Sequence, residues 1–210
     1  MKILKEYKTI FWDFDGVIKD SVKAKSKAFE KIFLPYGKEV ALKVTRHHES
    51  NSGVSRFIKL PIYLEWTGQT PSKSLINKFE KEFSLLAKQY VINSAWIDGV
   101  LDYLKNNYKV QDFFLITATP QQEIKEILEI LKIHIYFRQV VGSPSNKDEA
   151  IEVLMNMHKI NVKQAVMIGD SIIDYNAALS NQIDFILLRN TLNKSLQGRV
   201  FCHMIDNFHQ

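Results

Sequence analysis

A single cysteine, Cys202, excludes an internal disulfide, and its place outside every motif described below makes it read as a buried structural thiol. No apolar run approaches the roughly 20 residues that cross a bilayer. Lys2, Lys5, Glu6 and Lys8 interrupt the first residues, so no signal-peptide core is read there and a cytoplasmic location is the expectation. Internal repeats and low-complexity linkers are missing too. No recognised nucleic-acid-binding motif accompanies the lysines, so neither nucleic acid nor membrane is expected as a partner. The formal net charge of +5 instead suits small anionic metabolites.

What the chain does carry is a set of acidic residues, each placed just after a strand-like apolar run. Thr9-Ile10-Phe11-Trp12 reads as a short buried strand, and Asp13-Phe14-Asp15-Gly16-Val17 follows it directly. Period-two alternation sends the Asp13 and Asp15 side chains to one side, where two carboxylates can share a Mg²⁺ ion. Gly16 lets the chain turn away. A second run, Phe113-Phe114-Leu115-Ile116, ends at Thr117-Ala118-Thr119-Pro120. Thr119 as N-cap, Pro120 at the first helical position and Gln122 three residues after the cap predict a helix start, with Ile124, Ile127, Leu128 and Leu131 at helical spacing. The Thr117 hydroxyl and the free N–H groups beyond it suit an anion.

A third run, Ala165-Val166-Met167-Ile168, leads into Gly169-Asp170-Ser171-Ile172-Ile173-Asp174. Asp170 stands at the strand end as a metal-ligand candidate. Asp174, one helical turn on, is either a support for that metal or the acidic half of a capping box with Ser171. Lys147 falls in the first turn of another helix, where the helix dipole disfavours a cation and a negative partner is called for.

Taken in order, the D-x-D-G-V segment, the apolar strand ending in Thr117, the isolated Lys147 and the G-D-x-x-x-D segment resemble the haloacid dehalogenase superfamily of phosphotransferases, in its phosphoglucomutase-like branch. The resemblance implies Asp13 as the nucleophile that takes a phosphoryl group and Asp15 as general acid and base. It implies Thr117, Ala118 and Lys147 around the phosphoryl oxygens. It further implies Mg²⁺ held by Asp13, the Asp15 backbone carbonyl and Asp170, with Asp174 in support. Dehalogenases of the superfamily lack an acid two places after the nucleophile, so Asp15 favours phosphate chemistry. Family members often have Lys-Pro where this chain has Lys147-Asp148.

Strand-like runs at residues 8–13, 112–117, 135–141, 164–169 and 183–188 alternate with helical patterns, whereas residues 19–93 read as helical throughout. The expected fold is α/β: a Rossmann-like three-layer core with a parallel sheet, formed by residues 1–18 and 94–210, plus an inserted all-helical cap at 19–93. Thr70-Pro71 is expected to start a long helix of that cap. Lys19, Lys23, Lys27 and Lys31 recur every four residues and predict one solvated helix face. Lys25 lies outside that row and is a substrate-contact candidate, where a mutase of the family carries histidine. In the cap, Gly53-Val54-Ser55-Arg56 is similar to a phosphoglucomutase segment whose arginine holds a distal phosphate. Arg56 is therefore a candidate for a second anionic group, and His47 and His48 are candidate donors to a sugar hydroxyl or carboxylate.

The reading is a Mg²⁺-dependent phosphatase of a small phosphorylated metabolite, with sugar phosphates leading. A sugar phosphomutase and a non-catalytic binding module are the alternatives. Either a monomer or a homodimer is compatible.

Overall fold

The computed structural model describes residues 3–209. Six parallel strands form one sheet in the order β3-β2-β1-β4-β5-β6: β1 (Thr9–Trp12), β2 (Asp112–Pro120), β3 (Gln139–Ser143), β4 (Ala165–Gly169), β5 (Asp184–Leu188) and β6 (His203–Ile205). Between β1 and β2 the chain makes α1 (Val22–Phe33), α2 (Lys38–Ser50), α3 (Arg56–Trp66), α4 (Lys73–Asn93) and α5 (Val100–Asn107). The later crossovers carry α6 (Gln121–Ile130), α7 (Lys147–His158), α8 (Ile172–Ser180) and α9 (Lys194–Gln197).

Alternation along the central strands explains why they are apolar without a break. Ile10, Trp12, Phe113, Leu115, Val166 and Ile168 pack on one face, while Phe11, Phe114, Ile116, Ala165 and Met167 pack on the other. Both faces are covered, as a parallel sheet requires. β1 lies between β2 and β4, where the strand order reverses, and ligands of such sheets bind outside the carboxyl ends at that point.

Helices α1 to α4 bury a third cluster of their own. Phe29 stacks on Phe83 with ring centroids 3.9 Å apart, and Phe33 packs on Phe79 and Tyr63. Each fully buried aromatic of this kind contributes on the order of 2–3 kcal/mol, enough for the insertion to hold a fixed shape over the sheet.

Several expected boundaries move. β3 begins at Gln139 rather than 135, because His134–Tyr136 closes a short 3₁₀ turn. α4 starts at Lys73, where the Ser72 hydroxyl accepts the Leu75 N–H, and not at Thr70-Pro71. α6 starts at Gln121, and Pro120 still belongs to β2. Thr119 does not cap that helix, since its hydroxyl is bonded elsewhere. Lys19 leaves the solvated row: it is buried, with Nζ donating to the Ile92 carbonyl and lying over the Trp96 ring. Cys202 is half-buried rather than buried. The last part of the chain adds β6 to the sheet, and Phe208 packs on Trp12.

Candidate active site

The end of β1 is fastened to the end of β4 by a hydrogen bond from the Asp13 N–H to the Ile168 carbonyl (3.0 Å). Asp13 and Asp170 thus leave adjacent strands side by side, and α8 brings in Asp174 one turn later. Carboxylate oxygens of Asp13, Asp170 and Asp174 lie within 4.8 Å of one another, all buried. Lys147, the first residue of α7, reaches into this group: Nζ is 2.8 Å from Asp13 Oδ1 and 2.5 Å from Asp174 Oδ1. These are the negative partners that a lysine at a helix start calls for. Burial acts to lower the Lys147 pKa, but Asp13 and Asp174 outweigh it and push the ammonium upward.

Asp174 does both things its sequence context allowed. Its Oδ2 accepts the Ser171 N–H (3.1 Å) and hydroxyl (2.6 Å) in a capping box, while Oδ1 takes Lys147. With both oxygens engaged, it supports the cluster more than it offers a free ligand. Asp170 is the opposite case. Asn190 donates to its Oδ2 (3.1 Å) and Asn193 to its carbonyl (2.9 Å), but its Oδ1 is buried with no hydrogen-bond partner. Burial, then Asp13 and Asp174, push the Asp170 pKa well above the carboxylate range; burial likewise pushes Asp13 up to about 7, against the opposing Lys147.

Three crowded carboxylates facing one ammonium, with an orphaned oxygen among them, fit a hard divalent cation. Gly16 belongs to the same construction. Its φ is +80°, and a methyl group there would run into the Asp170 carboxylate.

Asp15 corrects the simple alternation argument. Beyond Asp13 the chain leaves extended geometry, with the Phe14 N–H bonded to Asp13 Oδ1 (2.7 Å), so the Asp15 side chain turns away from the other three carboxylates. It accepts from Ser21 (2.6 Å), Thr119 (3.1 Å) and Lys25, which is buried and also donates to Thr119 (2.8 Å). Burial acts to raise the Asp15 pKa, yet Lys25 and these hydroxyls outweigh it and hold the carboxyl low. Thr117 is buried, and its hydroxyl oxygen accepts the Thr119 N–H (3.2 Å). Ala118 lines both the cleft beside Lys147 and the cavity beside Asp15.

The cap is closed over these groups. Ser55 and Ser143 hydroxyls are 2.9 Å apart, and a methyl group on Gly53 would strike the Ser171 hydroxyl. Arg56 is not at the surface: it is buried and makes two bonds to Glu123 (2.8 and 2.6 Å), with Glu80 at 3.6 Å. Its guanidinium is therefore already occupied by carboxylates, which corrects its expected availability to a second anion. His47 packs inside the cap on Tyr63 and Trp66 and does not line the cavity beside Asp15. The neighbouring His48, with Lys59, lines the cavity beside Asp15 instead.

Sequence reasoning passed over Thr119, Lys59 and Glu123, and set His48 no higher than His47. Thr119 shares a strand face with Thr117 by period-two spacing. His48 follows Ala41 and Val44, and Lys59 precedes Tyr63, at the spacing of the cap's buried face.

A central parallel sheet that gathers three buried carboxylates and a lysine at its strand carboxyl ends defines an α/β protein with a candidate active centre at the point where the strand order reverses. Residues 10–188 match the family described as "Haloacid dehalogenase-like hydrolase", and the chain belongs to it. Among curated relatives, a phosphoglycolate phosphatase of Pseudomonas fluorescens is 25% identical over 195 residues, covering 85% of this chain and 68% of its own length. Phosphoglycolate phosphatase 1 of Pseudomonas aeruginosa is 25% identical, covering 80% of this chain and 64% of its own length. These relatives put the chain in the phosphoglucomutase-like branch, on its phosphatase side. The fold matches CbbY from Rhodobacter sphaeroides, solved with xylulose-(1,5)bisphosphate, at a TM-score of 0.78, 12% identity and coverage of 97% and 96% of the two chains. It also matches a haloacid dehalogenase-like protein of Streptococcus pneumoniae at a TM-score of 0.73 and 19% identity, covering 97% and 95%.

Proposed function

We propose that the chain is a Mg²⁺-dependent phosphatase acting on a small phosphomonoester, no larger than a sugar phosphate, through an aspartyl-phosphate at Asp13. The observation that carries this is the separation of the two carboxylates. Asp13 sits with Lys147 and the cation cradle, while Asp15 sits with Lys25, Ser21 and Thr119. Two carboxylates in unlike surroundings suit two roles.

Asp13 attacks phosphorus in line, and the bond from phosphorus to the ester oxygen breaks. Asp15, ionised in the free protein, relays to that oxygen the proton that a singly ionised phosphomonoester brings in. Water then attacks the aspartyl-phosphate, passes a proton to Asp15, and releases phosphate by breaking the bond to the Asp13 oxygen. Lys147 would supply positive charge, and the Thr117 hydroxyl a donor, to the transferring oxygens. Asp13, the Asp15 carbonyl and Asp170 would hold Mg²⁺, whose charge keeps Asp13 ionised and offsets the phosphoryl oxygens. The closed cap excludes bulk water.

Phosphate release from a panel of sugar phosphates, short phosphorylated acids and nucleotides with Mg²⁺, for the native chain and Asp13→Asn, tests this. Turnover of small esters lost in Asp13→Asn is expected. Turnover that survives Asp13→Asn, or a native chain silent on every ester, would overturn it.

A further inference from the structure

The turn that follows β5 takes no part in the chemistry proposed above, yet it is built around Asp170. Asn190 and Asn193 clasp each other there. Asn190 Oδ1 accepts the N–H groups of Leu192 (2.8 Å) and Asn193 (3.0 Å), while Asn193 Oδ1 accepts the Asn190 N–H (3.0 Å) and the Gln197 amide (2.8 Å). A backbone N–H can only donate, so both side-chain oxygens are fixed in place and both NH₂ groups are turned the other way. They are turned towards Asp170. Asn193 Nδ2 donates to the carbonyls of Asp170 and Leu188 (both 2.9 Å), and Asn190 Nδ2 donates to Asp170 Oδ2 (3.1 Å).

The two oxygens of that carboxylate are thereby made unequal. Oδ2 holds Asn190, and it is also the atom that a methyl group on Gly16 would meet first. Oδ1 is buried and has no hydrogen-bond partner among the described residues. Asn190 is neutral, so it fixes the carboxylate without cancelling the charge that a cation needs. Asp174, by contrast, gives one of its oxygens to the Lys147 ammonium.

We infer that Asn190 is a positioning residue that sets the selectivity of the cation cradle: by holding Oδ2 it leaves Asp170 one oxygen to offer, Oδ1, and so favours Mg²⁺ over Ca²⁺. The inference rests on the phosphatase reading for the presence of a cation, and adds which cation the cradle prefers and why. Mg²⁺ demands near-octahedral geometry at roughly 2.1 Å, which single, fixed carboxylate oxygens suit. Ca²⁺ takes about 6–8 oxygens at looser distances and readily accepts both oxygens of one carboxylate. Freed from Asn190, Asp170 could turn both oxygens to the ion, and Ca²⁺ would gain what Mg²⁺ loses. Residues behind a metal ligand act in this way on its orientation and not by touching the metal.

Calorimetric titration of the metal-free full chain with Mg²⁺ and with Ca²⁺ tests this, for the native protein, Asn190→Ala and Gln197→Ala. The native chain is expected to bind Mg²⁺ the more tightly. Asn190→Ala is expected to lose about tenfold in Mg²⁺ affinity and no more than about twofold in Ca²⁺ affinity. Gln197→Ala takes a donor from the clasp without touching Asp170, and both affinities should stay within about twofold of native. Equal losses for the two ions in Asn190→Ala overturn the inference, as do unchanged affinities, or a ratio shifted as far by Gln197→Ala. A native chain that binds neither ion, or Ca²⁺ the more tightly, overturns it whether or not either variant folds. Failure of the phosphatase reading shows separately, as a native chain that prefers Mg²⁺ and yet releases phosphate from no ester.

Discussion

Arg56, the first residue of α3, and Glu123, in the first turn of α6, meet in a two-bonded ion pair that ties cap to core. Ser84 adds a third donor to Glu123 at 2.5 Å, and the guanidinium lies 4.5 Å from the Phe83 ring centre. Removing one member of a buried pair strands the other, which costs about 3–5 kcal/mol. Glu123→Ala is therefore expected to lower the unfolding free energy read from urea denaturation by that amount, and Glu123→Ala with Arg56→Met to recover part of it. A double variant no more stable than the single one would show that the pair is not what the cap leans on.

Lys59 carries a penalty with a definite pH window. Burial pushes its pKa down to about 7 from the ordinary lysine value of 10.5. Between these values the unfolded chain binds a proton that the folded one does not, so this group makes stability rise with pH. The penalty is whole below about 7 and gone near 10.5. Lys59→Met should raise the melting temperature at pH 6, by an amount that shrinks as pH approaches 10. A gain independent of pH would mean that packing, not charge, is responsible.

Asp170 behaves in the reverse sense. Its raised pKa means that the metal-free folded state holds a proton the unfolded state releases, so metal-free stability falls as pH rises above the ordinary carboxylate value. Asp170→Asn should stabilise the metal-free protein at pH 7 and abolish the upward melting shift expected of the native chain in millimolar Mg²⁺. A shift retained in Asp170→Asn would place the cation elsewhere.

Gly16→Ala meets two obstacles at once: a φ of +80° and the Asp170 carboxylate. The left-handed backbone alone costs about 1 kcal/mol, and the displaced carboxylate should weaken Mg²⁺ binding as well. Titration of Mg²⁺ against turnover checks the second effect, where an unchanged half-saturation would separate Gly16 from the metal cradle.

Legibility in the sequence followed how local each signal was. Asp13, Asp170 and Lys147 announce themselves because each follows a strand run or opens a helix, and position along the chain is enough to bring them to one end of the sheet. Thr119 was hidden by a competing local signal: a threonine before proline reads as a helix cap, and only the arrival of Lys25 and Asp15 from another segment claims its hydroxyl. His47 and His48 differ by one residue, about 100° around a helix, and that angle decides between cap interior and cavity. Arg56 needed knowledge of where α6 would dock. Three-residue β6 has too short a pattern to read, and it forms because β5 offers an open edge.

Trp12 immediately precedes Asp13, and its ring is covered from the far end of the chain by Phe208, centroids 5.3 Å apart. During synthesis, the strand that leads into Asp13 therefore stays partly uncovered until residue 208 has been made. Before that, Tyr103 and Phe113 are the rings against Trp12, and it is residue 208 that completes the packing directly beneath Asp13.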